Sequence, residues 1–150
     1  MELHMNGQHP SSQTPAQADR SIQPLALILL LALAAVLFFV GLGSLGLTDR
    51  DEGRNAEAGR EMYETGNYIS PTFNYEPRFA KPVFIYWLMS LSYHVFGVSE
   101  FAARFPSAIF GVGLILLQYL FLTRCRGPVV GLFGAAMLLL NLEIIGLSRM

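Results

Sequence analysis

The sequence predicts an all-α integral membrane protein, with about three transmembrane helices and amphipathic interfacial helices in its first extracytoplasmic loop. Two observations carry this expectation. Of 150 residues, 53% are hydrophobic and 14% are charged, against roughly a quarter charged in a soluble domain. The charge is also unevenly placed, because twelve of the twenty-one Asp, Glu, Lys and Arg residues fall between Thr48 and Pro82, with long apolar runs on both sides. A net charge of −1 offers no surplus of Lys and Arg for nucleic acid.

Taken in order, residues 1–23 are polar and without apolar periodicity, which predicts a disordered cytoplasmic tail. His4 and His9 lie in it without a third ligand and assign no metal. Residues 24–47 predict the first span, since Leu25 to Leu47 carry no charge and that length at about 1.5 Å per residue crosses a hydrocarbon core. The run is too long for the core of a cleaved signal peptide and lacks an A-x-A site, so it reads as an uncleaved anchor. Gly41, Gly43 and Gly46 either allow close helix approach or loosen the exit.

Residues 48–103 form the polar loop. Thr48 or Asp49 is the expected N-cap of a helix from about Arg50 to Glu64, with acids in its first turn. Ala56, Gly59 and Tyr63 share one stripe and Asp51, Arg54 and Ala58 another; the apolar face is thin and predicts a helix lying at the interface. Gly66 and Asn67 supply a stop. A Pro and aromatic loop follows, in which Pro71, Pro77 and Pro82 restrict the backbone around Arg78 and Lys81.

Val83 to Val98 predicts a second interfacial or partly inserted helix, with a short true span as the alternative; Tyr86, Trp87 and Tyr93 suit the headgroup region, and His94 is read as a satisfied interfacial residue. Residues 104–123 predict a second span, 124–128 a cytoplasmic turn and 129–148 a third span, in which Gly127, Gly131 and Ala135 make a packing stripe. Asn141 and Glu143 fall late in it, and an acid in a span is a functional candidate. Cys125 has no disulfide partner and no partnered His, so it reads as a turn residue on a reducing side.

Arg124 and Arg126 in a short turn place that turn and the amino terminus inside. The loop's own Arg50, Arg54, Arg60, Arg78 and Lys81 argue the opposite, blunted by its seven acids. The sequence stops at Met150 as the third helix ends, which suggests the amino-terminal piece of a longer protein.

The polar loop carries the chemistry. Asp51 and Glu52 are adjacent at a helix start, Arg54 follows Asp51 by three residues, and Lys81 sits between prolines in a loop able to fold back on them. A carboxylate beside guanidinium and ammonium groups at a bilayer surface suits a donor that carries phosphate, with the cations on the phosphoryl oxygens and the acid on the attacking group. Salt bridges within a solvated helix account for Asp51 and Arg54 equally well.

The ordered pattern is more specific than any of its parts. It comprises Asp51-Glu52, Arg54, Ala56-Glu57, Met62 before Gly66-Asn67, Pro71, Lys81-Pro82, Tyr86-Trp87, Phe96-Gly97 and Ala103-Arg104 with Pro106-Ser107. From Asp49 to about Ser107 it resembles the first extracytoplasmic loop of polyprenyl-phosphate-sugar glycosyltransferases of the GT-C type, related to bacterial 4-amino-4-deoxy-L-arabinose (lipid A) transferase and the protein O-mannosyltransferases.

The resemblance implies a multi-spanning glycosyltransferase of the bacterial inner membrane, its amino terminus cytoplasmic. It would use an undecaprenyl-phosphate-linked sugar and an extracytoplasmic acceptor such as lipid A, another glycolipid or protein. Asp51 would be the catalytic carboxylate, Arg54 and Lys81 would bind the donor phosphate, and Glu52 would support the helix start or the acceptor. Cations on a phosphate leaving group and attack from the opposite face imply an inverting single displacement.

Asn55 and Ala80 depart from the pattern, where Tyr and an acid are common. A divalent metal is the one cofactor the resemblance raises, and Ala80 counts against it. The usual second acidic segment falls beyond Met150, so part of the expected site is absent and the 150 residues alone are expected to be inactive. The rival readings are a membrane scaffold that uses the loop for docking, and a transporter fragment, which would carry polar breaks inside its spans.

Overall fold

A computed structural model describes residues 15–44, 46, 47 and 50–150, with side chains from residue 24 onward. The expectations for His4, His9 and the Thr48 or Asp49 cap fall outside the described residues. Helix α1 covers Pro15–Phe39. It starts inside the expected tail because Pro15 is pre-shaped for a first helical position and Ala, Gln, Asp and Arg follow it without a breaker. It also stops short of Leu47. Gly41 takes φ +70°, the left-handed conformation that closes helices, and the Ser44 hydroxyl donates to the Gly41 carbonyl at 2.7 Å.

Helix α2, Arg50–Thr65, has the expected extent, and Gly66 at φ +67° ends it with its N–H on the Met62 carbonyl at 3.0 Å. Its inner face is broader than the sequence suggested. Glu52, Asn55, Ala56, Ala58, Gly59, Glu61 and Met62 are all buried, against helix α3, Phe84–Phe96. Gly59 makes this possible, since a Cβ there would lie 2.9 Å from the Met89 Cβ. Tyr86 and Tyr93, expected in the headgroup region, turn into this packing: they are 0% and 2% exposed, and the Tyr93 hydroxyl donates to the Ala56 carbonyl at 3.1 Å. Trp87 stays on the surface and donates its indole N–H to the Tyr68 carbonyl at 2.6 Å.

The Pro and aromatic loop contains a small antiparallel hairpin, β1 (Thr72–Phe73) and β2 (Glu76–Pro77). Its two turn residues, Asn74 and Tyr75, have φ of 55° and 61°. Paired left-handed residues match the twist of a two-residue hairpin; the sequence reading of a Pro and aromatic loop did not foresee it.

Helix α4, Glu100–Arg126, begins before the expected span because Ser99 caps it, accepting from the Ala102 N–H at 3.2 Å. The turn after it is the single residue Gly127, and α5 (Pro128–Leu139) starts at once with Pro at its first position. The expected third span is broken. Helix α6, Leu142–Ser148, leaves α5 at 69°, because the Asn141 side chain accepts from the N–H groups of Glu143 and Ile144 and starts a new helix. Glu143 lies exposed in that first turn.

These elements form two storeys joined by α4. One packs Ala34, Phe38 and Leu42 against Ala108, Ile115 and Tyr119 of α4 and Ala135 and Leu139 of α5. Gly131 and Ala135 of the expected small-residue stripe are buried there. The other sets α2 and α3 against Ala102 and Ala103. Phe39, Phe96, Phe101 and Phe105 meet edge-on or tilted between the storeys, with centroids 4.5 to 5.7 Å apart. Among the described residues, α4 is the helix long and apolar enough to cross a membrane; α5 and α6 pass that test together as a bent pair, and Pro24–Phe39 is a shorter apolar helix.

Candidate functional site

The amino-terminal turn of α2 places two adjacent carboxylates in different surroundings. Successive helical residues are about 100° apart, so Asp51 faces outward while Glu52 turns into the protein. Lys81, four residues past the end of β2 and three before the start of α3, brings its Nζ to 3.6 Å from Asp51 Oδ2. Both side chains remain substantially exposed, Lys81 at 43% and Asp51 at 54%. Arg54, one turn further along α2, is half-buried and lines an open cavity of about 400 Å³ with Phe73, Glu76, Pro77, Arg78 and Ala80. Asp51 and Lys81 therefore meet directly, while Arg54 lines the cavity that α2 forms with the hairpin.

Glu52 is the exception. It pairs with Arg104 of α4, whose Nε donates to Oε1 at 2.5 Å and whose Nη2 donates to Oε2 at 3.1 Å. Arg104 also donates to the carbonyls of Leu42 at 2.8 Å and Gly46 at 3.1 Å. One buried guanidinium thus ties the exit of α1, the start of α2 and the first turns of α4 together. Glu52 is thereby engaged in a buried pair at the start of α2.

Two further supports escaped the sequence reading. Glu61, fully buried on α2, accepts from the Thr72 hydroxyl at 2.5 Å and the Tyr75 N–H at 3.1 Å. It fastens the hairpin to the helix; its position among Ala58 and Met62 was the available signal. Arg104 was visible only as a motif letter before an apolar run. Arg78, just past β2, stacks its guanidinium carbon 5.4 Å from the Phe73 ring centroid.

On the exposed face of α2, Arg60 reaches Glu57 and Glu64, each at 2.5 Å. The hydrogen bond from Arg60 holds the Glu57 carboxyl below its usual range, and Glu57 in turn raises Arg60. His94 bonds the Ser90 carbonyl at 2.8 Å and meets the Tyr63 ring edge-on, and Cys125 is an exposed free thiol. Among the described residues no three His, Cys, Asp or Glu side chains gather with metal-binding geometry.

Comparison with known proteins gives the chain its relatives. The family model described as dolichyl-phosphate-mannose-protein mannosyltransferase matches residues 80–150. An undecaprenyl phosphate-alpha-4-amino-4-deoxy-L-arabinose arabinosyl transferase 2 of Pseudomonas fluorescens is 36% identical over 121 residues, covering 80% of this chain and 22% of that protein. The crystal structure of ArnT from Cupriavidus metallidurans in the apo state superposes with a TM-score of 0.78 at 29% identity, over 89% of this chain and 24% of that one. This chain belongs among the GT-C glycosyltransferases.

The structure of that ArnT bound to undecaprenyl phosphate also matches, with a TM-score of 0.63 at 35% identity, over 67% of this chain and 19% of that one. This GT-C chain spans about a fifth of the length of the curated relatives it matches. The likeness extends past Ser107, where the sequence motifs end, through α4, α5 and α6.

Proposed function

We propose that this GT-C chain contributes the donor-facing first loop of a bacterial inner-membrane glycosyltransferase. The enzyme moves a sugar from an undecaprenyl-phosphate carrier to an extracytoplasmic acceptor, which is lipid A, another glycolipid or protein. The observation that carries the reading is the Asp51–Lys81 pair at 3.6 Å beside the Arg54 cavity. Asp51 takes the proton of the acceptor's nucleophile, Lys81 and Arg54 hold the donor phosphate, and displacement in one step inverts the sugar carbon.

Magnitudes favour this use of the pair. An exposed ion pair contributes roughly 0.2–1 kcal/mol, whereas a hydrogen bond to a charged group contributes roughly 1.5–3 kcal/mol. Lys81 therefore exchanges Asp51 for an arriving phosphate at little cost, which frees the carboxylate as the leaving group binds. Developing negative charge on that phosphate is then met by cations already in place.

The bilayer assignment is supported by an inside-out distribution of side chains. Small residues, Ala34, Ala108, Gly111, Gly131 and Ala135, are buried between the helices, while Leu29, Val36, Phe110, Leu117, Phe121, Phe133 and Met137 are exposed. Small residues inside and large apolar ones outside is the arrangement lipid favours. In this reading α1, α4 and the bent α5–α6 pair cross the membrane, and α2, the hairpin and α3 lie along its outer surface.

Asp51→Asn and Lys81→Ala in the intact protein are expected to lower transfer from a polyprenyl-phosphate sugar by at least about 100-fold, with expression and membrane insertion unchanged. Undiminished transfer in either variant refutes the assignment. Labelling of a cysteine placed at Glu64 or Asn74, both exposed, in intact cells tests the side of the membrane; protection from an impermeant reagent contradicts it.

A further inference from the structure

The cavity beside Asp51 holds more positive charge than the proposed roles use. Arg54 and Arg78 both line it, and Glu76 is the acid among its lining residues. Arg78 is held firmly. Its backbone N–H donates to the Pro71 carbonyl at 2.8 Å, its guanidinium packs over Phe73, and the hairpin before it is fastened to α2 through Glu61.

Its Nε is nevertheless buried without a hydrogen-bond partner among the described residues. A buried charged donor left unsatisfied costs on the order of 1–3 kcal/mol, and a guanidinium presents a planar fork suited to phosphoryl oxygens. A guanidinium with an unused donor, lining the same cavity as a second arginine, suits an anion that arrives from outside.

We infer that Arg78 is a phosphate-binding residue, which together with Arg54 forms a two-guanidinium subsite for a phosphate monoester or diester. The inference deepens the proposed donor site and rests on that reading for the lipid source of the phosphate. Lys81, on the Asp51 side, supplies a point charge that moves between carboxylate and phosphate, while Arg54 and Arg78 fix the orientation of the phosphoryl group. Glu76 opposes excess positive charge in the empty cavity and weakens binding when the anion is present.

The test measures equilibrium binding by the intact detergent-purified protein to undecaprenyl phosphate, inorganic phosphate and undecaprenol. The variants are Arg78→Ala, Arg78→Lys and Glu76→Gln, with Arg124→Ala at the far end of α4 as control. Arg78→Ala is expected to weaken undecaprenyl phosphate about 10- to 100-fold with unchanged thermal midpoint and unchanged undecaprenol binding. Arg78→Lys retains part of the affinity, Glu76→Gln strengthens it, and the control leaves it unaltered.

Loss of inorganic phosphate binding in Arg78→Ala, in a protein that never binds undecaprenyl phosphate, keeps the anion subsite and removes the lipid donor reading. Undecaprenyl phosphate binding that is equal in wild type and in both Arg78 variants overturns the subsite and leaves the donor reading to Arg54 and Lys81.

Discussion

Replacing Arg104 by Ala tests the frame that holds the site. The side chains of Arg104 and Glu52 are 7% and 5% exposed, and the guanidinium donates to both carboxylate oxygens and to the Leu42 and Gly46 carbonyls. Removing it leaves a buried carboxylate without its countercharge. Breaking a buried pair from one side costs about 3–5 kcal/mol, a large part of the roughly 5–15 kcal/mol that stabilises a typical domain. At about 2–4 °C per kcal/mol for a chain of this size, the thermal midpoint falls by roughly 6–20 °C.

The companion variant Glu52→Leu with Arg104→Met separates charge from volume. Well-packed apolar replacement of a buried pair is often neutral, so the double variant is expected to be more stable than Arg104→Ala alone. Thermal unfolding in one detergent, read by intrinsic fluorescence at fixed protein concentration, measures both. A loss below about 1 kcal/mol for Arg104→Ala, the range of an exposed pair, or a double variant less stable than the single one, refutes the reasoning.

Glu61→Gln keeps the shape but removes the charge that receives Thr72 and Tyr75; it is expected to cost about 1–3 kcal/mol, and limited proteolysis at the exposed Asn74–Tyr75 turn should accelerate before any cut in α4. Gly59→Leu forces side-chain atoms into Met89 and is expected to cost about 1–3 kcal/mol by overpacking, read as a lower thermal midpoint, with Gly53→Ala as an open-space control. Glu57 has its carboxyl pKa lowered by Arg60 from a reference of 4.5, so its contribution is full above that reference and is lost as pH falls through the lowered folded value. Glu57→Gln should flatten that acid limb of a stability–pH curve by an amount within the few tenths of a kcal/mol usual for helix-surface pairs, and an unaltered limb removes Glu57 from the account.

The parts legible in the sequence are those set by local chemistry. Apolar runs announced α1 and α4, Gly66 announced the end of α2, and the ordered motifs named Asp51, Arg54 and Lys81 together, of which the structure sets Asp51 and Lys81 3.6 Å apart. What escaped depends on partners far along the chain. The inner face of α2 read as thin because Glu52, Asn55 and Glu61 are polar; their burial rests on Arg104, on α3 and on the hairpin. The break at Asn141 was hidden because the apolar run continues through it, and only the side-chain cap on Glu143 and Ile144 turns a lone Asn into a helix start.

The division of labour between Asp51 and Glu52 follows from one geometric fact, that neighbours on a helix face different ways. Glu52 is locked by a two-oxygen contact in a dry environment, where charge-assisted bonds are strong and a missing partner is costly. Asp51 is half exposed, with one long contact to the exposed Lys81 ammonium group. If the two residues had exchanged surroundings, the carboxylate assigned to chemistry in the proposed function would be held by a guanidinium and the helix start would be anchored by an exposed pair too weak to fix it. A buried, fully paired acid setting the position of an adjacent, loosely paired one gives the polar loop a rigid origin and an exchangeable charge within two consecutive residues. Under the proposed function that arrangement suits a phosphate-displacing reaction, because orientation has to be set before the donor arrives while the ion pair still has to open when it does.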